Sequence, residues 1–382
     1  MGAEKTMKIA YVGHFLDSGG YCTAAINYIE SLEKAGLEVV AIPFCLTKKT
    51  LEMSDIIKKS YNRKLSNVDL VILHTLPEFF SRHPNLPTIG IFSSEMSGIP
   101  KKWVEEINKL DYCIVSSEQS KNACYSSGVS IKIDKIPYCI DVKKYGENYD
   151  CSDIINEIKS EGKSVFYTVG EFVNRKNYSS LLRAYYTEFS KGDNVHLVIK
   201  SGLNGKTPQE TANIFQMKNY EIFKGLNLPA ENMPEVTFLP SEMTEEDILS
   251  LHQHSDFYVC ASYGESWSLP SFDAMAFGKT PIVPNSTGFL EYMSDNEGFM
   301  VKTFEAPCFG LIDANPEIYN SSFNYYQVDI NDMRNKMRFC LSNKDRLKEK
   351  SIAGMKKSML YSHENIGPQL RKAIENVTKE LR

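Results

Sequence analysis

The chain has 382 residues, 42% of them hydrophobic and 24% charged, with a net charge of −5. That length suits two domains with a core each, and the composition is that of a globular protein in water. The acidic balance argues against a nucleic-acid binder, and no apolar run is long enough for a membrane span.

Nine cysteines are scattered without a C-x-x-C pair. They read as reduced thiols of a cytoplasmic protein, not as a zinc site or a disulfide framework. No signal peptide is visible. Met1-Gly2-Ala3-Glu4-Lys5-Thr6 fits the short N-myristoylation pattern, which leaves peripheral membrane contact open, and Met7 is an equal candidate for the start.

Residues 8–13 form a short apolar strand that opens into His14-Phe15-Leu16-Asp17-Ser18-Gly19-Gly20. An amphipathic helix is expected over 23–32 and a strand over 37–43. Strand, glycine loop, helix and strand make a nucleotide-type βαβ unit whose helix start attracts an anion. Gly19 and Gly20 are then either phosphate contacts or a plain tight turn. The loop is not G-x-G-x-x-G, and no acid is well placed for a dinucleotide ribose, which argues against a dehydrogenase.

Apolar strands over 69–73 and 88–92 end in His74 and in Ser93-Ser94-Glu95. His74 is a catalytic candidate by position, or a hydrogen-bonded packing residue. A helix over 100–110, a strand over 112–117 and a helix from Glu118 to Ser127-Gly128 follow. The segment 135–141 closes a first domain, and the stretch 141–162, polar and at best helical, reads as a linker.

The second half opens with a strand over 165–170, then Glu171-Phe172-Val173-Asn174-Arg175-Lys176-Asn177 and a helix through Phe189. Arg175 and Lys176 are either a solvated basic pair or ligands of an anion. Cations at a helix start are unfavourable by themselves, which favours the anion. The strand 195–200 ends in Lys200, a further phosphate or base contact. A helix over 207–224, a strand over 236–240 and a well-capped helix from Thr244 come next.

The central stretch is Tyr263-Gly264-Glu265-Ser266-Trp267-Ser268-Leu269-Pro270-Ser271-Phe272-Asp273-Ala274-Met275-Ala276-Phe277-Gly278. It lies between apolar strands, and Pro270 fits the first turn of a helix that Gly278 closes. Glu265 is thus on the loop at a strand's carboxyl end, and Asp273 is inside the first helical turns. Taken singly, Glu265 can be a solvated acid and Asp273 a residue that favours a helix start. The backbone N–H groups of Ser266, Trp267, Ser268 and Leu269 lead into that start, which attracts phosphate. An anionic ligand that also carries hydroxyls, such as a nucleotide diphosphate-sugar, satisfies both halves of the layout. Residues 305–326 are a surface excursion of unknown role, and 329–342 and 344–382 read as two charged amphipathic helices.

The central stretch resembles the E-x7-E signature of retaining GT-B glycosyltransferases of the family 4 (group 1) type. Glu265, Leu269-Pro270, Asp273 and Ala274-Met275-Ala276-Phe277-Gly278 match it in order. Asp273 stands in place of the second Glu, and Ser266-Trp267-Ser268 in place of Gly-Phe-Gly. Lys176-Asn177 falls in register with the family's diphosphate grip, but Glu171 occupies its Arg position, leaving Arg175 as the second cation. The segment 135–141 resembles the family's V-P-x-G-V-D, and 285–291 its second glycine loop. The histidine that commonly follows the strand equivalent to 88–92 is missing. An acid holds that place in a subset of the family, so Glu95 is the acceptor-side candidate.

The resemblance implies an α/β GT-B fold of two Rossmann-like doubly wound domains facing a cleft. The acceptor-side domain would span 1–145 and the donor domain 160–345, with 346–382 returning to the first. The implied reaction is retaining transfer of a hexosyl group from a UDP- or GDP-linked sugar to a hydroxyl of a glycan, lipid or small molecule. It needs no metal and no other cofactor. Asp273 would hold the ribose and Lys176 and Arg175 the diphosphate, while Gly19-Gly20 would abut the donor phosphates or the acceptor. Glu265 would face the transferred sugar. The alternatives are a same-fold epimerase or phosphorylase, and a non-catalytic GT-B protein that binds a nucleotide or glycan.

Overall fold

The computed structural model describes residues 6–16, 19–44 and 53–380, so the lipidation pattern lies outside the described residues except for Thr6. The chain divides into two units, Met1–Lys144 with Leu360–Arg382, and Tyr145–Met359.

Six parallel strands build the first unit: β1 (Lys8–Gly13), β2 (Glu38–Pro43), β3 (Leu70–His74), β4 (Thr88–Phe92), β5 (Tyr112–Val115) and β6 (Ile133–Lys135), in the order β2-β1-β3-β4-β5-β6. β4 and β5 are buried along their whole length, as parallel strands covered on both faces must be. The chain reverses direction across the sheet between β1 and β3, so the crevice beyond their carboxyl ends is the switch point. The helix His363–Glu380 closes this unit by packing on the helix Gly20–Lys34. The approach is so close that a Cβ on Gly367 would lie 2.3 Å from the Ser31 carbonyl oxygen.

The second unit holds β7 (Ser164–Glu171), β8 (Val195–Gly202), β9 (Glu235–Leu239), β10 (Phe257–Tyr258), β11 (Ile282–Pro284) and β12 (Phe299–Val301). β10, β7, β8 and β9 pair in that order, and β11 pairs with β12. The Cys260 N–H donates to the Ile282 carbonyl at 2.9 Å and joins the two sets. Numbered within the unit, the parallel order is 3-2-1-4-5-6, a doubly wound sheet with its switch point between β7 and β10. Aromatic rings fill one face: Phe166 lies 4.9 Å from Phe257 and 5.3 Å from Phe189, and Phe215 stacks on Phe238 at 4.2 Å.

Two expected boundaries differ, and the excursion gains a structure. Of the stretch expected as a linker, 141–144 belongs to the first unit and the rest to the second, where it carries the helix Asp153–Ser160, because the spacing of Ile155 and Ile158 buries one helical face. The segment 346–382 does not return as one piece. The helix Lys348–Ser358 stays with the second unit, where a Cβ on Gly354 would meet Met275 Cγ at 2.7 Å, and the return begins at Leu360. The excursion is a hairpin of β13 (Thr303–Pro307) and β14 (Asn324–Val328), antiparallel, with 308–323 between them.

Candidate functional site

After β7 the chain makes the tight turn Asn174–Lys176, and Asn177 then caps the helix Tyr178–Glu188. Asn177 adopts φ +52°, a left-handed conformation that Asn tolerates. Its side-chain oxygen accepts from the Ser180 N–H, and its amide donates to the Ala261 carbonyl at 3.0 Å. The Tyr263 N–H donates to the Arg175 carbonyl at 2.9 Å. These bonds tie the loop after β7 to the loop after β10.

The tie brings two cations onto one carboxylate. Lys176 Nζ lies 2.6 Å and Arg175 Nη1 3.3 Å from Glu265 Oε1, and Arg175 also donates to the Gly264 carbonyl at 2.7 Å. The Ser262 hydroxyl donates to the same carboxylate oxygen at 2.7 Å. Glu265 is only 5% exposed. Burial alone would raise its pKa, but the two cations and the hydrogen bonds prevail and hold it at about 2. The trio thus gathers two positive charges and one negative at the switch point of the sheet.

The backbone around Glu265 is strained. Among the described residues six non-glycines have positive φ, and four of them are Asn. The other two, Ser268 at +68° and Thr287 at +53°, lie on the loops that frame Glu265. Such conformations cost roughly 1–2 kcal/mol each and persist where the surroundings over-determine them, commonly at functional sites. Thr287 Oγ1 accepts from the Glu265 N–H at 3.2 Å, and the Gly288 N–H donates to the Glu265 carbonyl at 2.8 Å. Gly288 is packed so closely that a Cβ there would lie 2.1 Å from the Ser266 carbonyl oxygen. The N–H groups of Ser268 and Leu269 make no hydrogen bond within the protein among the described residues, and they open the helix Leu269–Ala276. Amides so placed suit an anion.

The remaining expected residues fall in several places. Ser266 is buried on the same loop, whereas the indole of Trp267 is core, packed on Phe272 and Tyr292, and leaves only its backbone for a ligand. Asp273 accepts a hydrogen bond from the Tyr145 hydroxyl. Lys200 sits on β8, where burial lowers its pKa and the nearby Glu242 partly restores it. Glu171, in the family's Arg position, is exposed and accepts from the Asn204 N–H at 3.3 Å.

In the first unit Gly19 caps the helix at φ −81°, a conformation open to any residue, and Gly20 begins it. His74 is corrected to a packing residue. It is 0% exposed, shares a hydrogen bond of 2.7 Å between its Nδ1 and the Tyr11 hydroxyl, and lies among the rings of Tyr21, Tyr28 and Tyr138. Burial, with the charge of His14 as a lesser cause, holds its pKa at about 3, so it stays neutral and out of reach of a substrate. Glu95 is half-buried after β4. Burial pushes the Tyr138 hydroxyl up to about 12 and Glu95 adds to the rise, although the Ser93 hydroxyl at 2.5 Å opposes it. Ser262, Thr287 and Tyr145 touch the expected site residues and carried no signal of their own, save that Thr287 falls in the segment 285–291. Among the described residues no group of three or more His, Cys, Asp or Glu is placed to hold a metal ion, and no helix is long and apolar enough to cross a membrane.

Residues 152–307, the span that contains this site, match the family model "Glycosyl transferases group 1". Among solved structures, sucrose-phosphate synthase from Thermosynechococcus elongatus is similar at a TM-score of 0.67 and 15% identity, over 98% of this chain and 100% of that one. The Anabaena protein HepE, solved in complex with UDP and glucose, is similar at 0.66 and 14% identity, over 97% and 100%. A glycosyltransferase from Rickettsia africae gives 0.64 and 16%, over 99% and 100%. At such identities the likeness speaks for the fold, which is GT-B with two Rossmann-like units. No curated protein matches the chain in sequence.

Proposed function

We propose that the chain is a metal-independent, retaining glycosyltransferase that takes a hexosyl group from a nucleotide diphosphate-sugar held above β7 and β10. The observation that carries this reading is the convergence of Lys176 and Arg175 on Glu265, with the unclaimed Ser268 and Leu269 amides three and four residues further on. Without a ligand, Glu265 supplies the anion. A diphosphate brings more negative charge to the same cations and frees Glu265 to accept hydrogen bonds from hydroxyls of the transferred sugar.

As the glycosidic C–O bond breaks, negative charge builds on the departing diphosphate. Cations fixed beside it stabilise that transition state more than the ground state. The acceptor hydroxyl attacks the anomeric carbon from the face the diphosphate leaves, and its proton passes to a departing phosphate oxygen. Asp273 takes the ribose hydroxyls in exchange for Tyr145. The UDP and glucose bound to the Anabaena neighbour make UDP-hexoses the first donors to try. The acceptor is a hydroxyl of a glycan, a lipid or a small molecule, and Glu95 of the first unit is the candidate residue for it. The free cysteines among the described residues support a cytoplasmic placement.

The outward-facing Glu171 and the burial of His74 favour a second reading, a GT-B protein that binds a nucleotide and does not turn it over. Thermal shifts against a panel of UDP- and GDP-sugars, followed by turnover with and without a chelator, separate the two. Lys176→Ala is expected to lower turnover by about 100-fold or more. Undiminished turnover in that variant would remove the diphosphate assignment, and binding without turnover on any acceptor would leave the second reading.

A further inference from the structure

The turn that carries Arg175 and Lys176 has another face. Asn174 and Lys218 on one side, Tyr263 between, and Phe309, Tyr325 and Gln327 of the excursion on the other line a cavity of about 380 Å³. Arg175, Lys176 and Glu265 do not line it. The hairpin is anchored here: the Tyr326 N–H donates to the Tyr263 carbonyl at 2.8 Å, the Tyr325 ring meets the Tyr263 ring edge-on at 4.3 Å, and Asp313 accepts from the Asn174 N–H at 2.8 Å.

Lys218 is the charged group of this cavity. It is half-buried, donates to Asn174 Oδ1 at 2.7 Å and sits 5.4 Å over the Phe172 ring, and no carboxylate pairs with it among the described residues. An ammonium whose direct partners are both neutral can pair with an anion that enters the cavity. Tyr178 and Ser179, the first residues of the helix Tyr178–Glu188, line the same space and add the positive end of its dipole.

We propose that this cavity binds a monosaccharide bearing a negative charge, at a site separate from that of the nucleotide-sugar. Its volume is at the low end of small-molecule sites, roughly 300–1,000 Å³, which suits one sugar ring with a charged substituent. Lys218 takes the charge. The amides of Asn174 and Gln327 offer donors and acceptors to ring hydroxyls, and Phe309, 83% exposed at the rim, offers a face to the sugar's C–H groups. The excursion thereby acquires a role: it supplies one wall of the site.

The test uses the full chain carrying Phe309→Trp as a fluorescent reporter, with calorimetry on the unsubstituted chain as a check free of the reporter. The probes are glucose 1-phosphate, glucuronate, glucose and inorganic phosphate. The two charged sugars are expected to bind saturably, at least ten times more tightly than glucose or phosphate alone. Lys218→Gln should weaken both charged sugars at least tenfold and leave UDP binding unchanged, whereas Lys176→Ala should weaken UDP and spare the charged sugars. Displacement of the charged sugars by UDP would overturn the proposal. So would an affinity that Lys218→Gln leaves intact, a glucose or phosphate affinity equal to theirs, or the absence of binding by either charged sugar. Because the two substitutions read the two sites apart, failure of the nucleotide-sugar assignment would show in the UDP titrations alone.

Discussion

Glu265 combines burial with a pKa near 2, and that combination has a pH consequence. Its folded pKa lies below the ordinary carboxylate value. The stabilisation is therefore fully present above about pH 4.5 and is lost as pH falls from there toward 2, amounting to about 3 kcal/mol. Glu265→Gln is expected to flatten stability across that window, as urea midpoints at a series of acidic pH values would show. The same variant removes the internal competitor for Lys176 and Arg175, so it should retain UDP binding while turnover falls. His74 titrates in a higher window. Its folded pKa is also depressed, so its contribution is complete above about pH 6.5 and is lost at about 1.4 kcal/mol per pH unit as pH falls toward 3. Unfolding of His74→Gln at pH 7, 6 and 5 should show a shallower pH slope than the parent chain. An unchanged slope would mean that His74 is not held neutral by its burial.

At the level of elements, the loop between β10 and the helix Leu269–Ala276 joins local signals to non-local constraints. Pro270 in the first turn and Gly278 at φ +72° made that helix legible from the sequence. The left-handed Ser268 was not legible from its own residue type, since Ser gives no cue for positive φ. Its place in the pattern where the family has Gly is the only hint. Ser268→Gly is expected to raise stability by about 0.5–1 kcal/mol, read as a higher Tm, because the residue no longer strains its Cβ. Gly288→Ala should do the opposite. With a Cβ 2.1 Å from a backbone oxygen, the 285–291 loop must move off the Glu265 loop, at a cost of about 3 kcal/mol or more. If Gly288→Ala kept the parent Tm and activity, the packing of these two loops would be wrong.

For the whole molecule, the last helix is the informative element. His363–Glu380 buries Ile366, Leu370, Ile374 and Val377 in a unit whose other residues end at Lys144. A chain stopped at Met359 should therefore lose the thermal transition of the first unit, with rapid proteolysis within 1–144. UDP should still raise the transition of Tyr145–Met359. Loss of both transitions together would show that the second unit does not fold without the returning helix. The sequence pattern placed amphipathic helix over this region, but not the break at 359–362, where a short turn separates two helices that belong to different units.

The features legible along the chain were local: the alternation of strand and helix, the apolar runs of the two sheets, and the loops at strand ends that carry Arg175, Lys176 and Glu265. Hydrophobic periodicity, Pro and Gly act over a few residues, so they can be read without a fold. It took the folded structure to bring Lys176 to Glu265, 89 positions away, and Asp273 to Tyr145. That structure also seals His74, at a strand end like a catalytic residue, among tyrosines. Charge partners and desolvation depend on what packs over a side chain after the chain has closed on itself, and no neighbour in sequence records that.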